Sequence, residues 1–131
     1  MKIDHIGYLV GDLDKAVKTF KLLGYKETSG VTHDTIRLVD ICFMQMDQYT
    51  IELISPYDKN SVTAGMLKKY KNMPYHICYE AEDFEAELRE LEENGFVKID
   101  EPCPAPAIGG RRVCFLAGAG IGMIEVLDGK A

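Results

Sequence analysis

The sequence predicts an α+β fold built as two tandem βαβββ modules, and three observations carry that prediction. Shifting the 131-residue chain by 71 positions lays His5 on His76, Ile6 on Ile77, Tyr8 on Tyr79, Asp12 on Asp83 and Gly24 on Gly95. A later phrase, TIELISP at 50–56, matches MIEVLDG at 123–129 at a shift of 73 and sets Glu52 against Glu125. In each half the hydrophobic period also switches from two to 3.6 at the same place, as a strand leading into a helix requires. Self-similarity at a fixed spacing marks a structural unit used twice. The modules cover about residues 1–57 and 74–129, with a connector at 58–73.

Each element follows from its residues. Residues 2–10 and 75–81 alternate in character and read as opening strands. Asp12 and Asp83 come next, each able to accept a bond from the free amides of a helix's first turn. Helical spacing then places Leu13, Ala16, Val17, Phe20 and Leu23 on one face, and Phe84, Leu88 and Leu91 on the equivalent face. Gly24 and Gly95 stand where a left-handed residue ends a helix. Three further strands are expected at 25–31, 36–46 and 49–55, with counterparts at 96–100, 111–117 and 122–128. The connector SPYDKNSVTAGMLKKYKN is polar, with a short helix near 64–71. PCPAPAIGG (102–110) is a proline-rich loop in which Gly109 and Gly110 permit close approach to a ligand. GAGIG (118–122) lacks the helix and lysine of a phosphate loop and reads as a turn between strands.

Composition limits the function. A chain of this size, 47% hydrophobic and 27% charged, can bury a core. A net charge of −6 opposes nucleic acid as the main partner, since phosphates would be repelled. No run approaches the 18 apolar residues of a membrane span. The N-terminus MKIDHIGY has no signal-peptide core. Cys42, Cys78, Cys103 and Cys114 are far apart, without a CxxC pair. That pattern fits free thiols in a reducing compartment, so a cytoplasmic location is expected.

Alternation decides where the repeated polar residues point. Ile6, Tyr8 and Val10 suit the helix side of their strand, which turns His5 to the other face; the same count turns His76 away from Ile77 and Tyr79. Glu52 opposes Ile51 and Leu53, and Glu125 opposes Ile124 and Val126. Each module thus offers one imidazole and one carboxylate on the face away from its helix. A carboxylate between apolar neighbours is costly to bury without a cation or a donor. Two imidazoles and two carboxylates form a nitrogen–oxygen set suited to one divalent ion, Ni, Co, Zn, Mn or Fe. On a six-coordinate ion, four protein ligands leave two positions for a chelating substrate, so His5, Glu52, His76 and Glu125 are candidate ligands of a catalytic ion.

The phrases DHIGYLVGDLDKAVKTFKLLGY, IELISP, YHICYEAEDFEAELRELEENGF and IEVLD together resemble the vicinal oxygen chelate superfamily, which includes glyoxalase I, methylmalonyl-CoA epimerase, extradiol dioxygenases and bleomycin-resistance proteins. The resemblance covers nearly the whole chain. It implies paired βαβββ modules forming a curved mixed sheet around a metal, with ligand positions falling on His5, Glu52, His76 and Glu125. The stretch IELISPYDKNSVTAGMLKKYKNMPYHICYE is most similar to methylmalonyl-CoA epimerase and its relatives. Glyoxalase I is the other enzyme implied, because it uses a His/Glu/His/Glu set where epimerases often carry glutamine second. Epimerases also carry a further basic glutamate in the strand before the second ligand. The comparable stretch here, THDTIRLVD, leaves Asp34 and Asp40 as candidates for that base.

The chemistry implied is proton movement on carbon next to a carbonyl, in a small-molecule substrate such as a thioester of an oxoacid. Glu125 is the first candidate for a ligand that doubles as the base and Glu52 the second. Arg111 and Arg112 adjoin a strand on opposite faces, and one is a candidate to grip a substrate carboxylate or phosphate. Lys68, Lys69 and Lys71 in the connector could attract the phosphates of a CoA carrier. A homodimer is expected from the resemblance. The competing expectation is a metal-free drug-binding protein of the bleomycin-resistance type, whose members generally lose the ligand set.

Overall fold

A computed structural model describes residues 1–118 and 120–130; Ala119, within the turn expected at 118–122, and Ala131 lie outside them. The fold is α+β, as expected. The described residues divide into two compact units, one of His5–Tyr75 and one of residues 1–4 with 76 onward.

In the first unit the elements run β1 (Lys2–Leu9), α1 (Leu13–Leu23), β2 (Lys26–Glu27), β3 (Thr32–Asp34), β4 (Val39–Met46), β5 (Tyr49–Pro56) and α2 (Val62–Tyr70). The first three residues of β1 belong to the other unit. β1 pairs in parallel with β5, β5 pairs antiparallel with β4, and β2 and β3 both pair antiparallel with β4. A parallel pair needs a long crossover, and α1 with the β2–β4 meander supplies it. Asp12 accepts from the Lys15 amide at 3.0 Å, and Gly24 ends α1 at φ 111. Leu13, Ala16, Val17 and Phe20 pack on Val10, Cys42, Met44, Ile51 and Leu53.

Leu23 departs from expectation, being 63% exposed. Gly24 turns the chain back, with the Tyr25 amide bonding to the Phe20 carbonyl at 3.0 Å. Tyr25 then stacks edge-on with Phe20 and takes the place on the cluster that Leu23 was expected to fill.

The second unit repeats this plan with β6 (Met73–Ala81), whose first three residues belong to the first unit, α3 (Phe84–Glu93), β7 (Val97–Lys98), β8 (Cys103–Ala105), a 3₁₀ turn (Pro106–Ile108), β9 (Arg111–Gly118) and β10 (Gly122–Asp128). β6 is parallel to β10, and β9 pairs antiparallel with β10, β7 and β8. Asp83 accepts from the Ala86 amide at 3.1 Å. Phe84 and Leu88 are buried with Ala81, Cys114, Leu116, Ile124 and Val126, and Tyr79, Leu91 and Phe96 border the cluster.

The expected strands at 25–31 and 96–100 are shorter than read, and each is followed by a second short strand, β3 or β8. Side chains interrupt the ladder at corresponding points. Ser29 Oγ and Asp100 Oδ1 accept from the amides of Phe43 and Phe115, both at 3.0 Å. The strand expected from residue 36 begins at Val39 because Asp34 bonds the Ile36 and Arg37 amides, each at 2.9 Å, folding 35–38 into a turn. All four cysteines are free, and burial pushes the Cys114 thiol up to about 11, with the nearby Asp100 charge adding to it.

Candidate metal and active site

Parallel pairing decides which side chains stand side by side. In the first unit β1 and β5 set Gly7 opposite Glu52 and Ile6 opposite Ile51. Ile6 and Tyr8 go down onto the α1 cluster, so His5 rises on the other face. Glu52 likewise opposes buried Ile51 and Leu53. His5 Nε2 lies 3.2 Å from Glu52 Oε1, with side-chain exposures of 0% and 6%.

The second unit builds the same pair. β10 and β6 set Glu125 opposite Cys78, the counterpart of Gly7. His76 Nε2 lies 3.3 Å from Glu125 Oε1, again at 0% and 6% exposure. The strand neighbours of Glu125 are apolar, as expected: Ile124 and Val126 turn to the opposite face, into the α3 cluster, and Leu127 packs on Cys78, Val113 and Ala105.

The donor chemistry fits a divalent transition ion. Ligands held at about 2.0–2.2 Å from one ion at adjacent positions are themselves on the order of 3 Å apart. The imidazole–carboxylate separation in each unit suits a pair of neighbouring ligands. By type and burial, the pair in each unit, His5 with Glu52 and His76 with Glu125, offers donors suited to a metal ion.

Two residues of this face escaped the sequence reading. Phe43 sits opposite Glu52 in the β4–β5 ladder, and Phe115 sits opposite Glu125 in the β9–β10 ladder. Phe43 meets His5 edge-to-face, with centroids 5.4 Å apart and planes at 83°. Phe115 meets His76 in the same manner, at 5.2 Å and 88°. A signal was there to be read. The two phenylalanines are 72 positions apart, between the shifts of 71 and 73 that align the histidines and the glutamates.

The backbone around each ring is tied down in duplicate. Besides the Ser29 and Asp100 bonds, the Thr28 and Ile99 amides donate to the Phe43 and Phe115 carbonyls at 3.0 and 2.8 Å. Cys42 and Cys114 thiols reach the Ser29 and Asp100 carbonyls at 3.7 and 3.4 Å.

The two arginines separate as alternation requires. Arg111 shares the face of Val113 and Phe115; its Nε donates to the Asp128 carbonyl at 2.8 Å and its Nη2 to Glu80 Oε2 at 3.0 Å. Lys2 holds the other oxygen of Glu80 at 3.3 Å. Arg112 turns to the α3 side, where its guanidinium lies 4.7 Å from the Phe84 ring centroid and bonds Asp128 and Glu85 at 2.8 and 2.6 Å. Asp34 is fully buried and caps its turn, with Arg37 Nη1 on Oδ2 at 3.1 Å. Asp40 points to the side of Cys42 and Met44, away from Glu52, and its Oδ1 is 2.7 Å from His33 Nδ1. Lys68 and Lys69 close the last turn of α2, with Lys69 Nζ 5.1 Å from the Tyr70 ring centroid.

These ion pairs carry a pH dependence. The Arg111 hydrogen bond holds the Glu80 carboxyl below its ordinary value, partial burial pushes it up, and Lys2 adds to the lowering. Burial pushes the Asp128 carboxyl up, but the Lys130 amide and Arg112 together outweigh it and leave it below the usual range. A carboxyl depressed in the folded state stabilises the protein above its unfolded value, and that contribution is lost as pH falls through the folded value. Stability should therefore drop on acidification from about pH 5 to pH 3. In denaturant melts across that range, Glu80→Gln should flatten the drop. An unchanged slope would contradict the assignment.

A sequence profile of the glyoxalase/bleomycin resistance protein/dioxygenase superfamily matches residues 4–115. An ethylmalonyl-CoA/methylmalonyl-CoA epimerase of Cereibacter sphaeroides is 28% identical over 116 residues, covering 88% of this chain and 87% of that protein. The mitochondrial methylmalonyl-CoA epimerase of Homo sapiens is 27% identical over 116 residues, covering 88% of this chain and 65% of the human protein. Among solved structures, a hypothetical protein from Bacillus halodurans C-125 superposes with a TM-score of 0.88 at 28% identity, over 99% of this chain and 95% of that one. The methylmalonyl-CoA epimerase from Mycobacterium tuberculosis shares the fold at a TM-score of 0.86 and 24% identity, over 99% of this chain and 89% of that one.

Proposed function

Because this chain belongs to the glyoxalase/bleomycin resistance protein/dioxygenase superfamily, we propose that it is a divalent-metal-dependent epimerase acting on a small oxoacid thioester, of the methylmalonyl-CoA type. The observation that carries this reading is the duplicated buried pair, His5 with Glu52 and His76 with Glu125, each at ligand-like separation. In this reading the two pairs are halves of one site and His5, Glu52, His76 and Glu125 share one ion, Ni, Co, Zn, Mn or Fe. The Cereibacter sphaeroides relative, named as an epimerase of acyl-CoA thioesters, supports the choice of substrate class.

Bound there, the ion supplies Lewis-acid polarisation of a carbonyl oxygen. The chain's residues do the rest. Glu125 Oε accepts the proton from the carbon next to the thioester carbonyl. Glu52, entering the step protonated, delivers its own proton to the opposite side of the same carbon to give the epimer, which leaves Glu125 protonated and Glu52 ionised for the reverse turnover. The low exposure of both carboxylates keeps bulk water out of the proton transfer itself, and the carboxyl protons exchange with solvent between turnovers. Arg111 shares the face of Phe115 and Glu125 and is the arginine to meet an anionic group of the substrate, giving up its bond to Glu80 to do so; Arg112 lies against α3 with Asp128 and Glu85.

One observation favours a second reading, lactoylglutathione lyase-like isomerisation. The second ligand position holds Glu52 rather than glutamine, and the same residues would then return the proton to the neighbouring carbon. A metal-free drug binder is disfavoured because all four donors are present. Proton exchange in heavy water separates the readings, using methylmalonyl-CoA and a hemithioacetal against Co-, Ni-, Mn- and Zn-loaded protein. Exchange at the α-carbon of the thioester is expected, lost on chelation. Absence of exchange on every substrate in every metal form would overturn the enzyme reading.

A further inference from the structure

We propose that Phe43 and Phe115 are positioning residues that fix the planes of the His5 and His76 imidazoles for metal binding; the inference rests on the metal reading above. The last torsion of a histidine side chain is broad and roughly two-fold, so the covalent geometry alone does not hold the ring in one plane. A ligand nitrogen binds well only when its lone pair, which lies in the ring plane, points at the ion. Some neighbour must therefore restrict that torsion, and groups that orient metal-bound histidines commonly govern affinity.

Each unit provides a phenyl ring for this purpose. The rings stand nearly perpendicular to the imidazoles, at 83° and 88°, in the edge-to-face arrangement that aromatic pairs favour. Rotation of either imidazole about its last torsion would break that contact. The backbone that carries each phenyl ring is tied down: the Thr28 and Ile99 amides donate to the Phe43 and Phe115 carbonyls, and the Phe43 and Phe115 amides donate to Ser29 Oγ and Asp100 Oδ1. The arrangement recurs in both units although the intervening sequences differ. Bulk packing alone would not demand an aromatic ring, rather than any apolar side chain, at both places.

The test is a Co(II) titration, since cobalt's visible absorption reports ligand geometry as well as affinity. Phe43→Leu and Phe115→Leu keep apolar bulk but remove the plane, and each should weaken Co(II) binding by about ten-fold or more and alter the absorption band. Phe43→Tyr and Phe115→Tyr, which restore the ring, should return both towards wild type. Phe20→Leu serves as the control. It removes a ring from the α1 cluster, where Phe20 meets Tyr8 at 5.2 Å, and should lower thermal stability while leaving cobalt affinity unchanged. Wild-type affinity and spectrum in both leucine variants would overturn the proposal while leaving the metal site intact. Failure of wild-type protein to bind Co(II) at all would overturn the metal reading and this inference with it. Should one leucine variant fail to fold, the equivalent variant in the other unit decides alone, by the same two outcomes.

Discussion

Exchanging Glu125 for glutamine is expected to lower turnover by about 10²–10⁴-fold, the range associated with losing a positioned general base. Glutamine has nearly the same shape and retains an oxygen donor 3.3 Å from His76 Nε2, where Glu125 Oε1 now lies. It cannot take a proton at neutral pH. The side chain is 6% exposed, so bulk water cannot easily act in its place. The fold should be retained, because the neutral amide is less costly to bury than the carboxylate it replaces. The variant should therefore melt near the wild type while its turnover on methylmalonyl-CoA collapses. Near-normal turnover would remove Glu125 from the proton-transfer step, leaving Glu52 as the candidate.

The largest stability effect is expected at Phe84, where replacement by alanine should cost about 3–5 kcal/mol. Phe84 is 2% exposed and follows directly on Asp83, which caps α3. Its ring fills the space among Ala81, Leu88, Cys114, Leu116, Ile124 and Val126. Its outer side carries the Arg112 guanidinium, 4.7 Å from the ring centroid. Alanine would leave a cavity and remove the cation–π contact together. Equilibrium unfolding in urea measures the loss, and a cost below about 1 kcal/mol would show that the cluster closes over the gap.

Much of the architecture could be read in the sequence because the chain says it twice. The paired aspartate caps, the glycines after α1 and α3 and the alternation of β1 and β6 each recur at a spacing of 71. Local chemistry determines all of these, so a sequence pattern suffices to find them. The same alternation put His5 and Glu52 on one face and His76 and Glu125 on one face, and the parallel register brought each couple within contact.

What escaped was non-local. The break after β2 depends on Ser29 reaching the amide of Phe43, and the break after β7 on Asp100 reaching Phe115; no periodicity encodes such bonds. The turn that delays β4 depends on a buried Asp34 whose partners include the Arg37 side chain. Leu23 fits the helical stripe but lies past the point where Gly24 and Tyr25 close the cluster. Phe43 and Phe115 look like ordinary strand aromatics until the ladders set them beside Glu52 and Glu125.

The measurement that bears most directly on the central claim is the metal content of purified protein reloaded with Co, Ni, Mn or Zn, for wild type, His5→Ala and His76→Ala. Shared ligation predicts one ion per wild-type chain, with binding severely weakened in both variants, because each unit supplies half of the ligands. Two ions per chain, of which each variant loses one, would contradict it, and so would retention of the full ion content after either substitution.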